Sequence, residues 1–227
     1  MYFKSRAEAG RLLADKLEQY QKYNTAVVAL TPGAVIVGAQ IAMRLHSALA
    51  MLMTENITLP GENEPLAAIT SDNTFTYNNK FSTGELEDLH AEYLGVIEGQ
   101  RLEKLHKLHA LLGHGGEIHR ELLTRHTVIL VADGLSTGLS LDLASDYFKS
   151  IKLEKLIIVT PFASVNAVDK MHLVGDEIVC LSVVENYIDT NHYYDDNTIP
   201  PVEDLIKIIT TTPVHWTQSV NDGRHFL

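Results

Sequence analysis

The sequence has little cysteine and no long apolar run. Its 227 residues include one cysteine, Cys180, so no disulfide can form within the chain. The thiol falls in the apolar run Ile178 to Val184, where a small core residue is expected. A chain without disulfides suits a reducing compartment, and we expect a cytoplasmic protein. The longest apolar stretch, Val35 to Leu45, is interrupted by polar residues and is shorter than the roughly 18 residues that span a bilayer, so no membrane association is predicted.

Basic residues are also scarce. Lysine and arginine together number 18 against 29 aspartates and glutamates, which gives a formal net charge of -11. Because nucleic acids and anionic lipids attract proteins through lysine and arginine, this balance argues against both as partners. Apolar residues make up 45% of the chain and charged residues 21%, as in folded globular proteins. The length and composition predict a single domain over residues 1–227.

Apolar residues recur with two different periods along the chain. Residues 7–20 follow a helical period, and short unbroken apolar runs predict buried strands. The predicted strands are Thr25 to Leu30, Thr127 to Val131, Leu156 to Thr160 and Glu177 to Val183; the helices that alternate with them are Val35 to Leu49, Leu139 to Phe148, Val165 to Met171 and Val202 to Ile209. Such alternation is typical of a parallel sheet covered on both faces. The predicted fold class is therefore α/β, with a doubly wound, mainly parallel sheet.

Two segments interrupt this alternation. Residues 51–82 are rich in proline, asparagine, glycine and glutamate, and they predict a small flap with hairpin strands at Leu66 to Ile69 and Thr74 to Tyr77. Residues 83–112 carry apolar side chains at helical spacing and predict one long helix.

The loop after the strand Thr127 to Val131 has the composition of a phosphate site. Residues 128–140 read VILVADGLSTGLS, an apolar strand followed by an acidic residue and a turn of glycines and hydroxyl residues that leads into a helix. Glycines let backbone N–H groups turn toward an anion, and a helix amino terminus adds partial positive charge. The alternative is an ordinary strand-to-helix turn, because glycine-rich turns are weak motifs.

The order of residues in this loop resembles the phosphoribosyl-diphosphate motif of type I phosphoribosyltransferases. That motif is an apolar strand, two acidic residues, Gly, two variable residues, Thr, Gly and a small or hydroxyl residue. The resemblance implies that the phosphate of a ribose 5-phosphate group is held by Gly134, Leu135, Ser136, Thr137, Gly138 and Ser140. It implies a catalytic role for Asp133, on the ribose hydroxyls or on Mg²⁺ that arrives with the diphosphate ligand.

The resemblance extends over most of the chain, to a group of predicted phosphoribosyltransferases with poorly defined substrates. The matching pieces, in order, are FKSRAEAGRLLADKL, VVALTPGAVIVGAQIA, TVILVADGLSTG, LIIVTPFASVNAV, GDEIVCLSV, and HYYDD followed by VEDLIKII. The resemblance implies a type I phosphoribosyltransferase fold, glycosyl transfer in nucleotide metabolism, a phosphoribosyl or nucleotide ligand, and a homodimer. It also implies that Tyr193 and Tyr194 lie on the acceptor side, although core packing is an equal alternative for both rings.

The chain departs from the family pattern at the residues that contact the ribose and the diphosphate in that family. Ala132 stands in place of the first acidic residue of the loop, and the diphosphate loop Thr31, Pro32, Gly33 and Ala34 lacks the arginine of the usual Pro-Arg-Gly-Gly. The flap has acidic residues where relatives usually carry an Arg-Lys pair. Because catalysis consists largely of holding the leaving diphosphate with cations and fixed dipoles, we expect weak or altered transfer. The alternative is a catalytically degenerate protein that binds or senses nucleotides.

Two further patterns allow other chemistry. Gly134-Leu135-Ser136-Thr137-Gly138 fits the spacing of the Gly-x-Ser-x-Gly nucleophile elbow, so a serine hydrolase with Ser136 as nucleophile is a competing hypothesis. Histidines also cluster between residues 90 and 126. Without accompanying cysteines or an HExxH motif, a solvated or interface face is the preferred interpretation over a metal site.

Overall fold

A computed structural model describes residues 2–62, 64–78, 80–112, 118, 120–136 and 138–212. The strands are β1 (Phe3–Ser5), β2 (Thr25–Ala29), β3 (Ala48–Met51), β4 (Thr54–Thr58), β5 (Pro65–Thr70), β6 (Phe75–Tyr77), β7 (Thr127–Val131), β8 (Lys155–Ser164), β9 (Glu177–Val184) and β10 (Tyr194–Asp196). The α-helices are α1 (Arg6–Lys16), α2 (Pro32–Leu45), α3 (Thr83–Leu112), α4 (Arg120–Leu123), α5 (Leu139–Phe148), α6 (Val165–Val174) and α7 (Val202–Thr211).

The central sheet has five parallel strands in the order β3-β2-β7-β8-β9. Alternate strand residues face opposite sides, so the sheet has two cores. One core contains Val27, Ile129 and Ile157 and is covered by α1, α2 and α7. The other contains Val28, Leu130 and Ile158 and is covered by α5 and α6. Helices on both faces confirm the prediction of a doubly wound α/β fold.

Most predicted boundaries agree with the structure to within three residues, and the larger differences lie at the ends of α2 and β8. The helix predicted to run to Leu49 ends at Leu45, because His46 adopts a left-handed conformation with φ of 55°. The chain then forms β3, an edge strand that the pattern did not predict. The strand predicted to end at Thr160 continues to Ser164 through Pro161, and this extension carries Phe162 into the core.

The segment predicted as a flap forms a separate antiparallel sheet in the order β4-β5-β6. Ile57 and Leu66 of this sheet pack with Ile97 of α3 in a buried cluster. The long helix predicted at residues 83–112 has a break at Tyr93, whose φ of -110° and ψ of 18° are not helical. The apolar pattern did not reveal this break because side chains on both sides of it, including Leu89 and Ile97, pack on the same small sheet.

Two short strands pair segments that are far apart in sequence. β1 pairs in parallel with β10, with Phe3 opposite Tyr194. Their side chains join Phe162 and Tyr193 in a third apolar cluster. This cluster lies beside the carboxyl ends of the sheet strands, because Phe162 is near the carboxyl end of β8. Within the described ranges, no helix combines the length and the apolar character that crossing a membrane requires.

Candidate ligand-binding site

The candidate site lies where the strand order reverses direction. From β2 the chain crosses to β3 on one side, and β7, β8 and β9 follow on the other side. The loops after β2 and β7 therefore leave the sheet side by side, and the Leu30 amide donates to the Val131 carbonyl at 2.9 Å. In open α/β sheets this reversal creates a crevice at the carboxyl ends of the strands, where ligands bind.

The loop after β7 is fixed to the neighbouring strand. The Leu135 amide donates to the Phe162 carbonyl at 3.1 Å, and the Ser164 amide donates to the Leu135 carbonyl at 2.9 Å. The Ser164 hydroxyl donates to the Ser136 carbonyl at 2.6 Å. These bonds hold residues 134–136 along the end of β8.

Gly138 makes the transition from this loop into α5. It has a φ of 84° and is the N-cap of the helix, where it offers no side chain to the first backbone N–H groups. A positive φ is strained for residues other than glycine, so a side chain here would change the loop. Ser140 follows within the first turn. Among the described residues no side chain caps this helix, so its first backbone N–H groups are available to a hydrogen-bond acceptor such as a phosphate.

Gly134 permits a close approach of aromatic residues. A Cβ atom at this position would lie 2.6 Å from Cε2 of Phe162 and 2.7 Å from the Tyr187 hydroxyl oxygen. The Tyr187 hydroxyl also shares a hydrogen bond of 2.8 Å with the Thr190 hydroxyl. Burial, together with the nearby charge of Asp133, raises the pKa of Tyr187 to about 12. The Tyr187 hydroxyl therefore stays protonated at neutral pH and can donate a hydrogen bond beside Gly134.

Asp133 lies at the start of the loop, but its carboxylate is enclosed by protein groups. Arg6 Nε donates to Oδ2 at 2.8 Å, and the Thr31 hydroxyl donates to Oδ1 at 2.6 Å. The side chains of Arg6 and Asp133 are 2% and 7% exposed. The Asp133 carbonyl accepts from the Tyr194 hydroxyl at 2.6 Å. The carboxylate thus connects α1, the loop after β2 and the loop after β7.

Comparison with known proteins identifies the family of the chain. The family model for the phosphoribosyl transferase domain matches residues 2–195. The chain belongs to the phosphoribosyl transferase domain family. The Mycobacterium tuberculosis proteins MT0597 and Rv0571c, which carry the words phosphoribosyl transferase in their names, are each 26% identical to the chain over 181 residues. The match covers 79% of the chain but 40% of each relative, so the chain spans less than half their length.

A solved structure has the same architecture. TT1426 from Thermus thermophilus is 23% identical to the chain and superimposes with a TM-score of 0.71. The match covers 93% of the chain and 99% of TT1426. At this level of identity the likeness shows that the two proteins share a fold, and the ligand has to be argued from the residues of the site.

Arg6 is the site residue that the sequence interpretation missed. Besides the bond to Asp133, its guanidinium donates to the Asn197 carbonyl at 3.1 Å and to Asn191 Oδ1 at 2.7 Å. It also lies 4.6 Å from the centroid of the Tyr194 ring. A signal was present in the sequence: a cation in the first turn of a helix opposes the helix dipole and needs a compensating partner.

The loop predicted to hold a diphosphate, Thr31 to Ala34, contacts Asp133. Thr31 is the N-cap of α2; its hydroxyl accepts from the Ala34 amide at 3.1 Å while donating to Asp133. Pro32 occupies the first turn and has no N–H to donate. A Cβ atom on Gly33 would lie 2.0 Å from Asp133 Oδ2. Thr31 and Gly33 of the predicted loop therefore lie next to Asp133.

Tyr193 and Tyr194 are buried at 5% and 4% exposure. The Tyr193 hydroxyl donates to the Asn186 carbonyl at 3.3 Å, and the Tyr194 hydroxyl donates to the Asp133 carbonyl as described. Burial, reinforced by the charge of Asp133, raises the pKa of Tyr194. Both rings are therefore packed in the core, and Tyr194 also holds the start of the loop at Asp133. An acceptor role for them stays a prediction.

The remaining predicted residues are distributed as follows. Ser136 is exposed, and its hydroxyl makes no hydrogen bond to a histidine within the described ranges. Thr137, His114 and His119 lie outside the described residues.

His90 bonds the Tyr77 hydroxyl and His109 bonds the Ser71 carbonyl, so these two histidines connect α3 to the small sheet. In the part of the chain that the structure describes, no group of three or more histidine, cysteine or acidic residues is arranged to hold a metal ion.

Proposed function

We propose that this phosphoribosyl transferase domain binds a ligand that carries ribose 5-phosphate, with the phosphate at residues 134–140. The observation that carries the proposal is the amino terminus of α5 beside the reversal point of the sheet, where Gly138 at positive φ is the N-cap and no described side chain caps the helix. A phosphate there accepts hydrogen bonds from loop and helix N–H groups and interacts favourably with the helix dipole. Phosphoribosyl diphosphate and nucleoside monophosphates both carry this group.

Glycosyl transfer is the reaction that we propose for the site, with weak or altered activity. Transfer from phosphoribosyl diphosphate needs cations around the leaving diphosphate, and the loop Thr31 to Ala34 offers none. The nearest buried cation, Arg6, is already paired with Asp133. Removing one electrostatic contact from a catalytic site commonly costs about 3 kcal/mol of transition-state stabilisation, so several such losses reduce the rate severely.

The enclosure of Asp133 favours a second candidate, a nucleotide-binding or regulatory protein without transfer activity. A carboxylate that contacts ribose hydroxyls must be reachable from the crevice, whereas the Asp133 side chain is 7% exposed and each of its oxygens already accepts from Arg6 or Thr31. Separating Asp133 from Arg6 leaves buried charge unpaired, at a cost of several kcal/mol. This candidate uses the phosphate loop alone.

Mg²⁺ is implied by the family resemblance, and the residues present do not fit an ion held by Asp133. Both of its oxygens have protein donors, and the side chain is 7% exposed. We therefore derive no step through a metal bound to the protein. Mg²⁺ that enters with a diphosphate, a homodimer that supplies further cations, and a cytoplasmic setting in nucleotide metabolism stay predictions.

The serine hydrolase hypothesis has less support. Ser136 has the exposure of a nucleophile but lacks a histidine partner among the described residues. Its carbonyl and the adjacent Leu135 are bonded to β8, which is the arrangement of a supported anion-binding loop. An active-serine probe that labels Ser136 would reverse this preference.

Calorimetric titration tests the proposal. We expect ribose 5-phosphate and nucleoside monophosphates to bind without Mg²⁺, and Gly138→Ala to weaken binding about tenfold because alanine is strained by about 1–2 kcal/mol at positive φ. Gly84→Ala is the matched control, since a Cβ atom there meets nothing within 4 Å. Tight binding of phosphoribosyl diphosphate only with Mg²⁺ would favour a working transferase. Failure of all these ligands to bind would contradict the proposal.

A further inference from the structure

A lysine from the neighbouring helix lies against the amino terminus of α5. A Cβ atom on Gly138 would lie 3.1 Å from Cγ and 3.4 Å from Cβ of Lys170, so the lysine stem covers the N-cap. The Lys170 ammonium lies 2.5 Å from Asp142 Oδ1, and the two side chains are 20% and 18% exposed. The ammonium is therefore held, largely out of solvent, beside the first turn of α5.

Asp142 has the wrong charge for a residue near a phosphate. It belongs to the first turn of α5, where a carboxylate and a bound phosphate are attracted by the same helix dipole and repel each other. Its Oδ2 atom is buried and has no hydrogen-bond partner in the described parts of the chain. An uncompensated carboxylate here would weaken anion binding.

We propose that Lys170 is the cation of the phosphate loop: it neutralises Asp142 and adds attraction for the phosphate of the ligand. The inference rests on the proposed function and deepens it, because it assigns the loop a positive charge that the segment Thr31 to Ala34 lacks. Lys170 acts as a positioning and electrostatic residue. The alternative is a structural ion pair that only joins α5 to α6.

The two members of the pair then have opposite effects on affinity. The probe is ribose 5-phosphate, titrated calorimetrically into the full chain at low ionic strength. Lys170→Met exposes the phosphate to the Asp142 charge and weakens binding on the order of tenfold, whereas Asp142→Asn frees the ammonium and tightens binding several-fold. The double variant returns close to wild-type affinity. Both single effects shrink as salt is added, because the charges are partly exposed.

Lys149→Met is the matched control. Lys149 caps the opposite end of α5, about 15 Å along the helix axis, and pairs with Asp146. The substitution removes a lysine charge from the far end of α5 and should leave affinity nearly unchanged. Thermal unfolding of each variant verifies that it is folded.

The outcomes separate this inference from the proposed function. Opposite shifts for Lys170→Met and Asp142→Asn, absent in Lys149→Met, support the inference. If the wild type binds ribose 5-phosphate and neither single variant changes the affinity, or both shift it in the same direction, the pair is structural and the inference is wrong while the proposed function stands. If the wild type does not bind ribose 5-phosphate, the proposed function fails and this inference fails with it.

Discussion

Arg6→Met is expected to lower the free energy of unfolding by about 3–5 kcal/mol, because it leaves the Asp133 carboxylate buried without its cation. Arg6 also donates to Asn191 and to the Asn197 carbonyl, so the substitution loosens the carboxyl-terminal segment from α1. Chemical denaturation followed by circular dichroism measures the change.

Arg11→Met is the control for this substitution, since Arg11 is an exposed residue of the same helix. It should change stability by no more than about 0.5 kcal/mol. The double variant Arg6→Met with Asp133→Asn removes both charges and should be more stable than the sum of the single effects predicts. A cost for Arg6→Met no larger than that for Arg11→Met would show that the buried pair does not hold the site together.

Gly33→Ala is expected to destabilise the chain by about 2–3 kcal/mol, although alanine is normally the better helix former. The new Cβ atom would lie 2.0 Å from Asp133 Oδ2 and 2.5 Å from Arg6 Nε. Neither atom can retreat without breaking a buried bond, so the Asp133 loop must shift. We therefore also expect weaker binding of ribose 5-phosphate by the folded fraction.

Gly95→Ala is the control for Gly33→Ala. Gly95 lies in α3, and a Cβ atom there meets nothing within 4 Å. It should stabilise the chain by up to about 1 kcal/mol through helix propensity alone. Equal effects of the two substitutions, measured by thermal unfolding, would contradict the close approach at Gly33.

The central sheet could be predicted because its strands and helices carry strong local signals. The short apolar runs TVILV and TAVVA are typical of strands buried on both faces of a sheet, and both form such strands. The helix predicted over Leu139 to Phe148 has the same bounds in the structure. β1 and β10 could not be predicted in this way. Each strand has three residues and forms only by pairing with the other, which is far away in sequence.

The sequence pattern indicates two loops that the fold brings together, but not the contacts between them. The glycine and hydroxyl pattern indicated the loop at 133–140, and the fold brings the predicted Thr31 to Ala34 next to it. The enclosure of Asp133 depends on Arg6, 127 residues away in sequence. Arg6 is on the buried face of α1 with Ala9 and Leu13, a helical spacing that indicates an apolar stripe interrupted by one cation. Only the fold identifies the partner of that cation.

The most direct test of the central claim is a crystal structure of the chain with ribose 5-phosphate. We predict that the phosphate lies at the amino terminus of α5, hydrogen-bonded to backbone N–H groups between residues 134 and 140, with Arg6 still paired to Asp133. A phosphate bound elsewhere on the chain, with this loop unchanged, would contradict the assignment.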